Sequence, residues 1–368
     1  MHSTIRTHRE SGARGRFGDF RYIVACVFFG LATVGVTVLS VTAAELPGGE
    51  ADPALANVPF QRGLTSDSLG RTITYYLSRP AGNEQGIKKP VTLLILGSGC
   101  QSVFTKRGER VFGAYQNTFQ QEAQGRSRVL IVEKPGVKFL DAESRPGSAE
   151  GALEEFLKEH TLERWAEANA AALRAVWTLP GIDATRTMVI GHSEGGIVAA
   201  RIGALLPQVT HVASLSGGGP TQLFDLADLR RQARPDDKPG DAERRVQKVY
   251  DEWAKVQTDP ESISKFWLGH PYRRWSSFLK CSVTDELLRG KPKIYLVQGS
   301  SDTSVSVKSF DVVLAELKAR GRDVTAERID GADHGFRTQD TPQGSPEGMK
   351  AVFGRLLEWF LKPEAKEK

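Results

Sequence analysis

Cysteine is scarce in this chain: three occur in 368 residues, and none forms a C-x-x-C pair or sits in a Cys/His cluster. A disulfide-dense scaffold and a structural zinc site are therefore excluded as the basis of the fold. Cys26 falls within an apolar run, which leaves Cys100 and Cys281. An oxidising compartment can join them; two isolated thiols is the alternative. A strong charge of one sign is also missing. The formal surplus is +5, but residues 1–44 hold Arg6, Arg9, Arg14, Arg16 and Arg21 against Glu10 and Asp19, so the remainder is almost neutral. With no basic and aromatic pattern of a nucleic-acid reader anywhere, DNA and RNA are excluded as partners.

Long apolar runs are missing too, with one exception. Residues 22–41 (YIVACVFFGLATVGVTVLSV) are uncharged over about the 20 residues needed to cross a bilayer. The arginines before the run predict that the N-terminus stays cytoplasmic and that everything after it is exported. Thr42-Ala43-Ala44 supplies small residues for cleavage after Ala43 or Ala44. Residues 1–44 are thus a signal peptide, giving a periplasmic or extracellular protein, or a retained anchor. The membrane is a partner only through 22–41 and only if the segment is uncleaved. Pro47, Gly48, Gly49, Pro53 and Pro59 then mark 45–60 as a linker.

Residues 71–77 (RTITYYL) alternate as an antiparallel edge strand does. The runs 91–96 (VTLLIL), 128–132 (RVLIV) and 187–190 (TMVI) are nearly continuous, which suits central parallel strands buried on both faces. Between the last two, Leu153, Phe156, Leu157, Leu162, Trp165, Ala168, Ala172 and Val176 recur at helical spacing and predict one crossover helix over 153–179, stopped by Pro180-Gly181. The alternation continues with a helix at 197–206, strands at 210–215 and 293–297, a helix at 306–319, a strand at 325–329 and a helix at 348–361. This is the pattern of an α/β fold: a mostly parallel central sheet with helices on both faces. A helical, mixed-charge cap insertion over 220–285 divides the core into 61–219 and 286–368. Its rings, Trp253, Phe266, Trp267, Tyr272, Trp275 and Phe278, either seat the insertion on the sheet or line a substrate pocket as a lid.

The chemistry concentrates in Gly191-His192-Ser193-Glu194-Gly195, a G-x-S-x-G between a strand and a helix. A tight turn with strained backbone at the serine needs neighbours without a Cβ, so that the hydroxyl stands clear. An ordinary N-capping serine is the plain alternative. A serine hydroxyl is a weak nucleophile unless a base takes its proton. Seven histidines are available. His2 and His8 precede the apolar run, His160 lies in the crossover helix, His192 is expected to face away and His211 sits in a strand. Of the remaining two, His270 before Pro271 reads as a cap residue. His334, in the glycine-flanked loop 331–336 after the last strand, is at the carboxyl end where open α/β sheets place their sites. Asp302, after Gly299-Ser300-Ser301 at another strand end, is the acid to orient it; Asp330 and Asp333 are less suitably placed. Glu133 and Lys134 end a strand on the same side and either border the pocket or form a structural pair. Arg273 and Arg274 either meet an acidic substrate or are solvated.

Ser193, Asp302 and His334, in that order on alternating strands and helices, resemble the α/β-hydrolase superfamily over nearly everything from residue 61 onward. The resemblance implies an acyl-enzyme mechanism without metal or organic cofactor on a small-molecule acyl substrate. It also implies an oxyanion hole from the amide of Glu194 and one in Leu96-Gly97-Ser98-Gly99-Cys100: Ser98, with Gly99 as the alternative. Leu96 stands where the family carries a histidine. An exported serine esterase is the expectation, with a peptidase or thioesterase next, and a non-catalytic binding module as the reading of another class.

Overall fold

A computed structural model describes residues 53–80, 87–341, 345 and 347–363. The Arg-rich stretch, the apolar run 22–41 and Cys26 lie outside the described residues. Among those described, no helix is long and apolar enough to cross a membrane.

Eight strands make one sheet: β1 (Phe60–Ser66), β2 (Thr72–Ser78), β3 (Lys89–Ile95), β4 (Arg128–Val132), β5 (Ile182–His192), β6 (His211–Leu215), β7 (Lys293–Gly299) and β8 (Val324–Ile329). Their spatial order is β1-β2-β4-β3-β5-β6-β7-β8. β2 runs antiparallel to β1 and β4, and all other pairs are parallel. The near-continuous apolar runs have the cause expected of them, since both faces of the sheet are covered. Leu93, Ile95, Val189 and Leu296 enter a core with Trp165, Ile197, Val198, Phe310 and Leu317 on one face. Their neighbours Leu94, Met188, Ile190 and Val297 enter a second core with Phe119, Met349, Phe353 and Leu357 on the other. The period of two along each strand thus divides one sequence run between two cores.

The helices are α1 (Tyr115–Ala123), α2 (Glu154–Glu159), α3 (Leu162–Trp177), α4 (Glu194–Leu205), α5 (Gln222–Arg231), α6 (Asp241–Thr258), α7 (Tyr272–Phe278), α8 (Val283–Arg289), α9 (Val307–Ala319) and α10 (Glu347–Leu361). The single crossover helix expected over 153–179 is two. Thr161, in extended conformation, accepts from the Arg164 amide and starts a new helix, so α2 ends at Glu159. The periodicity survives the break because Phe156 and Leu162 both face inward. The stretch read as a linker through residue 60 is packed from Leu55 onward, where Leu55 and Val58 join the second core.

The insertion contains α5, α6 and α7, with a short ribbon of Phe266–Trp267 and His270–Pro271. Its rings largely pack on each other: Trp253, Trp267, Tyr272 and Trp275 gather around Val256 and Leu279 in a separate core. Only Phe278 reaches the sheet core, and Phe266 lies against Cys100, Ala149 and Phe156. The cap is therefore a small folded unit rather than a set of rings seated on the sheet. Cys100 and Cys281 are both free and buried in different clusters.

Candidate active site

The parallel strands send their following loops to one edge, and the singled-out residues collect there. Ser193 follows β5 directly and opens α4. Its backbone has φ 57° and ψ −124°, a conformation costly for any residue with a Cβ, and its side chain makes no capping hydrogen bond. It is therefore not an ordinary N-cap. Gly191 and Gly195 explain how the turn closes. A Cβ on Gly191 would collide with the Gly195 carbonyl, and one on Gly195 with the carbonyls of Ile95 and Leu96. The loop after β3 lies against the serine: a Cβ on Gly97 would sit 3.3 Å from the Ser193 Cβ and 3.8 Å from its Oγ.

Asp302 and His334 are brought together as expected. Asp302 Oδ2 accepts from His334 Nδ1 at 2.8 Å and from Gln298 Nε2 at 2.8 Å. Its Oδ1 accepts from the amides of Ser304 and Val305 at 2.7 and 3.0 Å. Burial alone would raise the carboxyl, but the contact with His334 and these amides hold it below the usual range. It is thus an ionised acceptor, held by four donors, that keeps the proton of His334 on Nδ1. Asp333, by contrast, turns back to Arg337 and its own loop.

His192 does not point away from the site. Its Nε2 donates to the His334 carbonyl at 2.8 Å, which ties the histidine loop to the residue before Ser193. Burial lowers its pKa to about 4, so the ring is a neutral tether. Among the described residues no hydrogen bond joins Ser193 to the His334 ring; such bonds are often long in unliganded sites and tighten with substrate.

Glu133 and Lys134 do not pair with each other. Glu133 is buried under Val103 N, Ser102 Oγ and Tyr76 OH at 2.9, 3.0 and 3.4 Å. Burial raises its pKa to about 7. Lys134 Nζ donates to the carbonyls of Gly97 and Gly99 at 2.6 and 2.8 Å, the loop expected to supply an oxyanion amide. Arg274 is neither solvated nor open to substrate. It is 1% exposed and donates to Glu194 Oε2 from Nε and Nη2 at 3.0 and 2.7 Å. Arg273 turns to Glu261 and the Lys158 carbonyl. His270 is buried in the cap ribbon against the Trp275 ring, 5.6 Å between centroids, rather than capping a helix.

Glu194 and its partners were not visible as a cluster in the sequence. The signal was nevertheless present: an acid in the first turn of a helix that packs into the core must find buried counter-charges. His160 and Arg274 were legible only as isolated residues. Burial pushes the Cys281 thiol up to about 12, which removes it as a nucleophile. Among the described residues no group of three His, Cys, Asp or Glu side chains is placed to hold a metal ion.

A doubly covered eight-stranded sheet of this order, with a strained serine turn and an Asp–His pair at its carboxyl edge, defines the α/β-hydrolase class. Residues 105–345 match the model of the alpha/beta hydrolase family, and the chain belongs to that family. The matched region includes Ser193, Asp302 and His334. The fold is similar to that of Est1E from Butyrivibrio proteoclasticus, at 15% identity and a TM-score of 0.51 over 83% of this chain and 100% of that one. It is also similar to the acylaminoacyl peptidase of Pyrococcus horikoshii, at 14% identity and TM-score 0.55, over 84% of this chain but only 43% of the peptidase. A third relative in fold is acetyl xylan esterase 1 from a Thermoanaerobacterium species, at 13% identity and TM-score 0.50, covering 85% of this chain and 87% of the esterase. A comparison with curated protein sequences gave no match.

Proposed function

We propose that this hydrolase cleaves a carboxylic ester of a small acyl substrate through an acyl-enzyme. Ser193 is the nucleophile, His334 the base and Asp302 the group that orients it. The observation that carries the reading is the 2.8 Å hydrogen bond from His334 Nδ1 to a buried, fully satisfied Asp302. It leaves Nε2 as the free acceptor, on a loop tethered beside the strained serine. His334 takes the hydroxyl proton as Ser193 Oγ attacks the carbonyl carbon, then returns it to the leaving alcohol as the ester bond breaks. A water molecule, deprotonated by the same ring, releases the acid. The amides of Glu194 and Ser98, with Gly99 as the alternative to Ser98, stabilise the oxyanion in both steps. No cofactor enters this scheme.

Ester is favoured over amide because it is the less demanding bond to break, and fold neighbours of both kinds exist. The enzyme is further proposed to act outside the cytoplasm, on the strength of the arginines and apolar run in residues 6–41. The test of the chemistry is a panel of nitrophenyl esters, thioesters and aminoacyl amides. Short esters are expected to turn over, and His334→Ala to lower kcat by about 10⁴-fold or more. Unchanged turnover in His334→Ala would remove it as the base. A folded wild type inert towards the whole panel would favour a binding module.

A further inference from the structure

A strand-turn-helix serine turn has no intrinsic need for an acid after the serine, yet Glu194 is there with its carboxylate wholly buried. Burial alone would push it up, and His160, Lys134 and Arg274 hold it well below the usual carboxylate range. His160 Nε2 donates to Oε1 at 2.9 Å, Arg274 donates twice to Oε2, and Lys134 Nζ lies 3.5 Å from Oε1. Bringing such charges out of water costs several kcal/mol per ion, and apolar side chains of similar volume are often as stabilising. Stability is therefore a poor reason for the cluster, and its geometry is a better one.

Lys134 has three protons and three acceptors: Gly97 O, Gly99 O and Glu194 Oε1. The peptide unit is planar and trans, so holding the Gly97 carbonyl toward Lys134 turns the Ser98 N–H to the opposite side. One ammonium thus fixes both the peptide that presents the Ser98 amide and the side chain of the residue that presents the other. The far side of Glu194 is held from the cap. Arg274 on α7 packs its guanidinium 4.1 Å from the Trp275 ring centroid and 4.5 Å from that of Phe278. At neutral pH two cations, Lys134 and Arg274, face one carboxylate, because burial lowers His160 and His270 and keeps both rings neutral. The surplus positive charge lies behind the amides, where a developing oxyanion benefits from it.

We propose that Lys134, Glu194 and Arg274 form a positioning unit that sets the two oxyanion amides and makes their geometry depend on the seating of the cap. The proposal rests on Ser193 being the nucleophile. Burial also pulls Lys134 below the ordinary lysine range against the opposing charge of Glu194, with Arg274 and Glu143 as the other charges facing it. Its deprotonation, which leaves two N–H donors for three acceptors and removes the charge that strengthens the hold on the Gly97 and Gly99 carbonyls, gives the rate an alkaline limb below the usual lysine pKa. Neutralising Glu194 removes a charge that favours the ammonium, so the limb moves to lower pH.

The test compares wild type, Lys134→Met, Arg274→Met and Glu194→Gln, each checked for an intact near-UV spectrum. The readouts are kcat and KM against pH and hydrogen exchange of residues 96–101. Lys134→Met is expected to lose about 100-fold in kcat with KM changed by no more than about twofold, to lack the alkaline limb, and to exchange faster at 96–101. Arg274→Met is expected to lose kcat and to exchange faster at 96–101 to a smaller degree, and its alkaline limb is expected at higher pH, because a charge that disfavours the ammonium is gone. The isosteric Glu194→Gln, which keeps its amide, answers if Lys134→Met does not fold: its alkaline limb is expected at lower pH. A folded Lys134→Met with kcat within about twofold of wild type and unchanged exchange overturns the proposal, as does an unmoved limb in Glu194→Gln. Exchange separates this claim from the nucleophile assignment. If wild type shows no serine reactivity, faster exchange at 96–101 in Lys134→Met still supports the positioning, and unchanged exchange refutes it.

Discussion

Single residues in this molecule are legible when a local pattern marks them and obscure when only a distant partner does. Ser193, Asp302 and His334 are each marked by a strand end, a glycine-rich turn and an order along the chain. Glu133 is not: its neighbour Lys134 suggested a pair, but its partners Tyr76, Ser102 and Val103 come from other elements. The consequence is measurable. An acid raised from 4.5 to about 7 by burial binds its proton more tightly in the folded state, so folding is penalised once the unfolded chain ionises. The penalty is absent below about pH 4, grows between about 4.5 and 7, and is complete above. Glu133→Gln keeps an acceptor for the Val103 amide and carries no charge. Urea unfolding is expected to find it about 3 kcal/mol more stable than wild type at pH 8, with the difference vanishing near pH 4. A constant difference across that range would show that burial of the charge is not the cause.

Elements were legible where two independent signals agreed. The β4 span, for example, is the sequence expectation itself, because an apolar run of strand length was bounded by polar residues at both ends. The break between α2 and α3 was hidden because buried residues, Phe156 and Leu162, flank it on both sides, and helical spacing is blind to a capped interruption. The ribbon Phe104–Arg107 with Arg110–Gly113, and α1 after it, carried too little periodicity to stand out. The seating of α4 shows what the motif glycines accomplish. Gly195→Ala pushes a Cβ into the Ile95 and Leu96 carbonyls, backbone atoms that cannot swing aside. It is expected to cost about 3 kcal/mol or more in thermal or urea unfolding. Gly354→Ala in α10 is the control: its Cβ meets only Glu122 Oε2, at an ordinary 3.8 Å. It is expected to gain about 0.5–1 kcal/mol from helix propensity. Equal effects of the two would remove the packing argument.

For the whole molecule, the sequence carried the class of fold, while the internal organisation of the 220–285 insertion did not follow from composition. Its aromatic residues could be counted, but only packing distinguishes a cap with its own core from rings laid on a sheet. The same limit applies to its link with the site, which depends on Arg274 meeting Glu194 across 80 residues of chain. Export belongs at this scale too. N-terminal sequencing of the protein made in its host is expected to begin at Ala44 or Glu45; a start at residue 1 or 2 in a membrane fraction would instead identify a retained anchor. The central claim is that Ser193 is an activated nucleophile, and covalent labelling tests it most directly. Exposed to a fluorophosphonate and weighed intact, the wild type is expected to gain one phosphonyl group that maps to Ser193, and Ser193→Ala to gain none. A folded wild type that stays unlabelled, or a label that persists in Ser193→Ala, would contradict the account.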